Sequence, residues 1–371
     1  MNKKILKNYD FTLLSLILGL SFFGVLMVTA SYVTTDRSLT DVLNANYFLN
    51  QGMRLGMGLV ALLVLSLIDY NELRRLAIPI YLFNLALLVL VIFRGYEIYE
   101  SQRWIRIGFF NLQPSEIAKV CIIITLAILL SKEGRTVEGW FDLVLPFAHT
   151  ALPMLLIFQQ PDLGTSLVLI AILFGMLFVA GLRWLHLAVL SVAGVIAGVL
   201  AFLFVLKDYQ IARLTIFLDP WQDVQGSGWQ IIQSKVAIGA GQFKGRGLFQ
   251  GIHNQLRFLP ENHTDFIFAV IGEELGFVGS VAFLIVYMLL IWRVFKVAME
   301  AKDSLGRYLC IGVASMLMFQ LLVNVGMTIS IMPVTGLPLP LISHGGSSFL
   351  ATCMALGLVL SVSAHKDSSL F

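Results

Sequence analysis

Long apolar runs separated by short polar segments dominate this chain. A membrane span needs ~20 mainly apolar residues. The pattern predicts ten such spans, at 11–30, 48–68, 76–93, 114–131, 143–158, 163–182, 187–206, a stretch ending at Trp292, 308–332 and 345–364. The fifth is short. The eighth is too long: Asp265 to Trp292 is 28 residues, which would make a single helix of ~42 Å against a hydrocarbon core of ~30 Å. It also carries Glu273 and Glu274. Either this helix projects beyond the membrane, or a short helix precedes the true span near Gly276. The first run follows Lys3, Lys4 and Lys7. It is longer than a signal-peptide core of ~7–15 residues and has no clear small-residue cleavage site, so it reads as the first span.

One polar stretch, 207–264, breaks the pattern. Trp, Phe and Leu occur throughout it, so it is expected to be ordered, and loops of this length in compact domains tend to be functional. It ends in Leu259-Pro260-Glu261-Asn262-His263-Thr264-Asp265-Phe266. Asp265 thus sits where the chain re-enters the apolar phase. An ionisable group there is a functional candidate, although Thr264 or Asp265 could equally be the N-cap of the following helix.

Composition agrees with the pattern. The chain of 371 residues is 58% hydrophobic and 13% charged, with a mean hydropathy of +0.86, where a soluble domain carries about 25% charge. The expected fold is an all-α polytopic membrane protein, one integral membrane domain over 1–371 with a large extracytoplasmic loop between spans seven and eight. With the N-terminus inside, thirteen basic residues fall in inner segments and four (Arg37, Arg94, Arg103 and Arg106) in short outer loops. That bias puts both termini in the cytoplasm and the long loop outside. The net charge of +3 gives no reason to invoke nucleic acid. Cys121, Cys310 and Cys353 lie in apolar runs and imply no disulfide framework. The six histidines lack metal-ligand spacing, no nucleophile elbow occurs, and the absence of a phosphate-binding glycine loop argues against an ATP-driven pump.

Four polar clusters fall on the predicted outer side. In the first, Arg103-Trp104 precedes Gln113-Pro114-Ser115-Glu116 and Lys119. Pro114 suits a first helical turn, and Glu116 and Lys119 share a helix face, where they can pair or meet a substrate. The second is the tight turn Gln160-Pro161-Asp162-Leu163-Gly164-Thr165, in which Asp162 can cap the next helix. The third is the long loop, whose Arg213, Lys235, Lys244, Arg246 and Arg257 could hold an anionic headgroup or simply face anionic lipid or solvent. The fourth contains Asn324, Thr328, Pro333-Val334-Thr335-Gly336-Leu337-Pro338-Leu339-Pro340 and Ile342-Ser343-His344-Gly345-Gly346-Ser347-Ser348. Its prolines and glycines cannot continue a helix, and non-helical backbone at a membrane edge is buried in protein or lines a wet cavity. Ser343 and Ser347 are its candidate substrate contacts.

In this order, over nearly the whole chain, the clusters resemble the SEDS family (shape, elongation, division, sporulation) of bacterial membrane proteins. The most specific matches are Arg103-Trp104-Ile105, Gln113 to Glu116, Gln160 to Thr165, Leu259 to Phe266, Gly336 to Pro340 and Gly345 to Ser348. Pro333-Val334-Thr335-Gly336 and Gly247-Leu248-Phe249 favour its elongation branch over its division branch. His344 and His253 stand where the family pattern commonly has Tyr and Gln, and neither is expected to touch the catalytic group. The resemblance implies a glycosyltransferase that polymerises lipid II into β-1,4 glycan strands on the outer face of the cytoplasmic membrane. It implies Asp265 as general base or ligand of a divalent cation (Mg or Mn). It also implies a class B penicillin-binding protein and the elongation machinery as partners. Base chemistry suits this reaction. The acceptor hydroxyl must lose a proton, and a single displacement inverts an α-linked donor to a β product. A flippase for the lipid-linked precursor, and a scaffold without activity, are the competing classes. An aqueous path to the inner face would favour the flippase.

Overall fold

The computed structural model describes residues 8–35, 39–44, 46–98, 101–108, 110–132, 139–204, 211, 215–223 and 226–366. Among them, ten helices of 17 residues or more coincide with the ten apolar stretches. They are α1 (Phe11–Tyr32), α2 (Asn46–Leu67), α3 (Leu73–Arg94), α4 (Pro114–Leu130), α5 (Trp140–Gln159), α6 (Leu163–Val179), α7 (Trp184–Phe204), α9 (Ile267–Met299), α10 (Ser304–Thr328) and α11 (Gly346–Ala364). A shorter helix, α8 (Ser227–Gly241), lies within the long polar stretch. Seven of the described helices are long and apolar enough to cross a membrane; α6 and residues 51–67 of α2 form shorter apolar helices.

Local chemistry sets the helix starts. Asp10, Asp162 and Asp303 each accept a backbone N–H from the first turn of α1, α6 and α10. Pro114 opens α4, where its missing N–H costs nothing. The helices differ in what they bury. Nearly every residue of α4 is buried, and α10 and α11 are largely so. These three, with α6, form the centre of the bundle. In contrast, α3, α5 and α7 leave aliphatic and aromatic side chains exposed, including Phe93, Phe141 and Phe204, as lipid-facing helices do. His186 is the one buried residue of α7, held edge-on to Trp140 with ring centroids 4.3 Å apart.

The eighth stretch resolves as two helices. α9 is interrupted at Gly276, whose φ 66° and ψ −166° are non-helical and divide it into a short leading segment and a longer span. A side chain at Gly276 would come within 2.2 Å of the Gly245 nitrogen, so the kink needs both the left-handed backbone and the missing Cβ. The glycine-rich run of the loop packs into this kink. Arg246 N and Gly247 N donate to the carbonyls of Glu273 and Glu274 (both 3.0 Å), and Phe277 N and Val278 N return bonds to the carbonyls of Gln242 and Phe243. Glu273 in turn accepts from His253 N (2.8 Å) and Asn254 N (3.3 Å).

The all-α architecture carries one small addition that the sequence reading did not foresee. Three strands, β1 (Tyr96–Ile98), β2 (Ser101–Ile107) and β3 (Phe110–Leu112), form an antiparallel sheet between α3 and α4. The segment satisfies its backbone by pairing Trp104 with Tyr96 and Ile105 with Leu112. Outside the helices, unpaired backbone at a membrane edge would be costly.

Candidate functional site

Asp265 lies half-buried in the turn that leads into α9. The N-cap residue of α9 is Phe266, which makes no side-chain cap bond, so neither Thr264 nor Asp265 occupies the cap position. The turn itself is stabilised by Glu261. Its carbonyl accepts from Thr264 N (3.2 Å) and Phe266 N (3.3 Å), and its carboxylate accepts from the Thr264 hydroxyl (3.0 Å).

Two neighbouring elements fix this turn. On α10, fully buried Asn324 donates through Nδ2 to the Asp265 carbonyl (2.9 Å) and the Leu337 carbonyl (2.8 Å), joining the turn to the proline-rich loop 329–345. From that loop, the Ser343 hydroxyl donates to the Thr264 carbonyl (2.6 Å), and His344 N donates to the His263 carbonyl (2.8 Å). Gly336 has φ 71°, and a Cβ built there would lie 3.3 Å from Asp265 Oδ2. The glycine therefore keeps one side of the carboxylate clear while allowing a left-handed backbone. His263, His344 and Tyr32 cluster around the same turn in tilted and edge-on contacts, with centroids 5.2–5.9 Å apart. Burial lowers the pKa of His263, against an opposing pull from Glu261. Burial, with Arg54 and His263 nearby, holds His344 down at about 3. Both imidazoles are accordingly neutral at neutral pH.

The structure brings the other clusters to the same end of the bundle by hydrogen bonding. Arg103 Nε donates to the Gln160 carbonyl (2.8 Å), and its Nη2 donates to the Pro161 carbonyl. Asp162 caps α6 and also accepts from Ser115 (3.0 Å) and Gln113 (3.4 Å) on the α4 side. Gln113 N donates to the Ser347 hydroxyl (3.0 Å), which donates to the Asn111 carbonyl (2.8 Å). Arg103, Asp162 and Ser347 thus bind β2, the strand end at β3, α4, α6 and α11 into one assembly. Glu116 and Lys119 form an ion pair at 2.8 Å with both side chains 2–3% exposed. The contact to Glu116 Oε2 lacks hydrogen-bond direction, so it is chiefly electrostatic.

The predicted headgroup cations are less concentrated. Lys235, Arg246 and Arg257 are exposed, as is Lys244, and Arg213 lies outside the described residues. The hydroxyls of Ser343 and Ser347 are both engaged with backbone. His344, expected to stand clear of the catalytic group, ties down through its backbone the segment two residues before Asp265. The sequence pattern also left Arg54 unremarked. It is the one charged residue in the second apolar run, a signal that by itself marks a functional candidate, and its Nη1 meets His344 Nε2.

A carboxylate held at a membrane edge by buried amide and hydroxyl groups, on a bundle of long apolar helices, defines an integral membrane protein with a built polar site. Comparison with known proteins makes the class specific. The FtsW/RodA/SpoVE family model, described as cell cycle protein, matches residues 11–368, and the chain belongs to that family, also known as SEDS. It is 39% identical over 364 residues to a probable peptidoglycan glycosyltransferase FtsW of Trichlorobacter lovleyi, covering 97% of this chain and 94% of that protein. It is also 39% identical over 318 residues to the peptidoglycan glycosyltransferase MrdB of Escherichia coli K12, covering 84% of each. Among solved structures, it superposes on a chain of a peptidoglycan synthase complex that coordinates polymerization and crosslinking. There the TM-score is 0.81 and identity 36%, covering 97% of this chain and 99% of that one. RodA of Thermus thermophilus matches with a TM-score of 0.70 and 33% identity, covering 97% and 98%.

Proposed function

We propose that this protein is a peptidoglycan glycosyltransferase that polymerises lipid II, with Asp265 as its base. The observation that carries the reading is the placement of the Asp265 carboxylate. It is half-buried beside Gly336 and anchored through its own backbone by Asn324. Relatives over nearly the full length are named peptidoglycan glycosyltransferases, which supports an enzyme of this class.

The reaction then runs as one displacement. The acceptor 4-hydroxyl gives its proton to Asp265 as its oxygen bonds to the donor's anomeric carbon. The bond from that carbon to the diphosphate oxygen breaks, and the polyprenyl diphosphate leaves with both electrons. A positioned base contributes roughly 10²–10⁴-fold. Among the described residues no group of three ligating side chains forms. A magnesium or manganese ion would have to share the single carboxylate of Asp265 with substrate phosphates and water, a common arrangement for magnesium. When bound, it would neutralise charge on the leaving diphosphate.

The active site lies on the extracytoplasmic face of the cytoplasmic membrane, both termini are cytoplasmic, and ten helices span. This rests on the basic-residue bias. An impermeant maleimide should therefore label Trp221→Cys in intact cells; labelling only after lysis would reverse the topology. The elongation role rests on Pro333-Val334-Thr335-Gly336 and Gly247-Leu248-Phe249, while relatives named FtsW and MrdB share the same 39% identity, the former over 97% of this chain and the latter over 84%. Complementation of elongation-defective and division-defective strains separates the two. A class B penicillin-binding protein is the expected partner, supported by the likeness to a synthase complex that couples polymerization and crosslinking.

The direct test is polymerisation of labelled lipid II by the purified chain. Asp265→Asn should abolish glycan synthesis while leaving thermal stability unchanged. Near-normal synthesis by that variant would remove Asp265 from the mechanism.

A further inference from the structure

The turn that carries Asp265 is held a second time, from α1. Asn262, buried within that turn, donates through Nδ2 to Oδ1 of Asn254. Asn254 is only 3% exposed, and its own Nδ2 donates to the Ala30 carbonyl in the last turn of α1 (2.7 Å). One buried amide therefore links the Asp265 turn, 8 positions away, to a helix 224 positions away. Beside it, the Gln255 carbonyl accepts from Thr35 N (3.3 Å) and the Thr35 hydroxyl (3.2 Å), just beyond α1.

Asn254 is itself fixed. It lies in the one-turn helix Ile252–Gln255, where His253 N and Asn254 N both donate to the Glu273 carboxylate. That carboxylate is buried, with His253 Nδ1 3.2 Å away. A Cβ at position 251 would meet Glu273 Oε2 at 2.8 Å, so Gly251 allows the close approach. The ties form a closed ring. Asp265 precedes the leading segment of α9, Glu273 stands near the end of that segment, and Glu273 returns to the helix that holds Asn262. No side-chain oxygen or nitrogen of Asn254, Asn262 or Glu273 is buried without a partner. A fully satisfied buried network of this kind adds little net stability, but it rigidifies one geometry. Rigidity is needed here because α9 starts at Phe266 with no side-chain cap bond of its own.

We propose that Asn254 is a positioning residue for glycosyl transfer: by bridging Asn262 to the end of α1, it fixes the turn from which Asp265 meets the acceptor hydroxyl. The proposal rests on the reading of Asp265 as base and names what holds that base in place. A general base works only within hydrogen-bond reach of the proton it takes, and a displacement of about 1 Å can cost about 10²-fold in rate. Asn324 and Ser343 hold the turn from α10 and the proline-rich loop. Asn254 holds it from α1, so two separately packed parts of the bundle set one carboxylate.

The experiment measures steady-state polymerisation of labelled lipid II by the full chain in detergent, well below the unfolding midpoint of each variant. Asn254→Ala should lower kcat by about 10–100-fold and change KM by less than about twofold, because the bridge fixes the base without touching the substrate. Asn262→Ala removes the same hydrogen bond from its other end and should act in the same way. The double variant should match Asn254→Ala, since the bond is already absent there; a general loosening of the fold would multiply the two losses instead. Should Asn254→Ala fail to fold, Asn262→Ala leaves the tie to Ala30 in place and carries the test through its own split between kcat and KM. Unchanged kcat in the folded variant, a loss that lies in KM, or losses that multiply in the double variant each overturn the bridge. Polymerisation by the wild type, abolished in Asp265→Asn, leaves the enzyme reading intact in all three cases. An active Asp265→Asn defeats the base reading and the positioning role together.

Discussion

Replacing Glu116 by Ala isolates the energetic role of the buried ion pair in α4. The Lys119 ammonium lies 2.8 Å from Glu116 Oε2 with both side chains 2–3% exposed. At that separation the attraction is about 6 kcal/mol for an effective dielectric near 20. Much of it offsets the desolvation of the two charges, so the pair adds little net stability relative to an apolar core. Removing one partner is different, because the other charge stays buried and unpaired, at a cost of about 3–5 kcal/mol. Glu116→Ala should therefore lower unfolding stability in detergent by that amount, and Lys119→Ala by a similar one. The reciprocal exchange, Glu116→Lys with Lys119→Glu, should recover most of the loss. It should fall short by about 0.3–1 kcal/mol, because it moves a positive charge into the first turn of α4, where the helix dipole favours a negative one. Fluorescence-monitored unfolding compares these four proteins, and adding Glu116→Ala/Lys119→Ala completes a double-mutant cycle. A loss below about 1 kcal/mol for Glu116→Ala, or an exchange no better than either single variant, would refute electrostatic pairing as the reason these residues are buried.

Two further outcomes follow from the geometry at Asp265. Asn324→Ala removes the donor to two backbone carbonyls, each lost bond costing about 1–3 kcal/mol when the acceptor stays buried. Asn324→Asp, which cannot supply the same pair of N–H donors, should impair lipid II polymerisation nearly as much; full activity in Asn324→Asp would show that the clamp is dispensable. The folded pKa of His344 is held at about 3 against an ordinary 6.5, so the unfolded chain binds a proton that the native protein does not between those values. Stability should therefore fall as pH drops from about 6.5 towards 3, and His344→Tyr should flatten that slope in unfolding measured across the same window; an identical slope in both proteins would count against it.

Much of the architecture is legible in the sequence because burial in a membrane is a local compositional demand. Each helix must carry its own apolar run and satisfy its own backbone, so the ten stretches and the helix starts at Asp162 and Pro114 can be read from neighbouring residues. Length shows that one helix from Asp265 to Trp292 would overshoot the hydrocarbon core, which leaves either a projecting helix or a break near Gly276, and the structure decides for the break. The family resemblance likewise points to Asp265 through a contiguous motif. The short sheet over 96–112 is not legible, because its strands are held by pairing between segments and carry no strong alternation of their own. Tertiary structure alone decides what surrounds the carboxylate. Asn324 reaches Asp265 across 59 positions and Arg54 reaches His344 across 290. Hydrogen bonds of that kind depend on how helices pack, and no periodicity in the chain encodes them. The glycine-rich run shows the same division: its composition announces an unusual backbone, but only the kink at Gly276, against which it packs, explains why that backbone is needed.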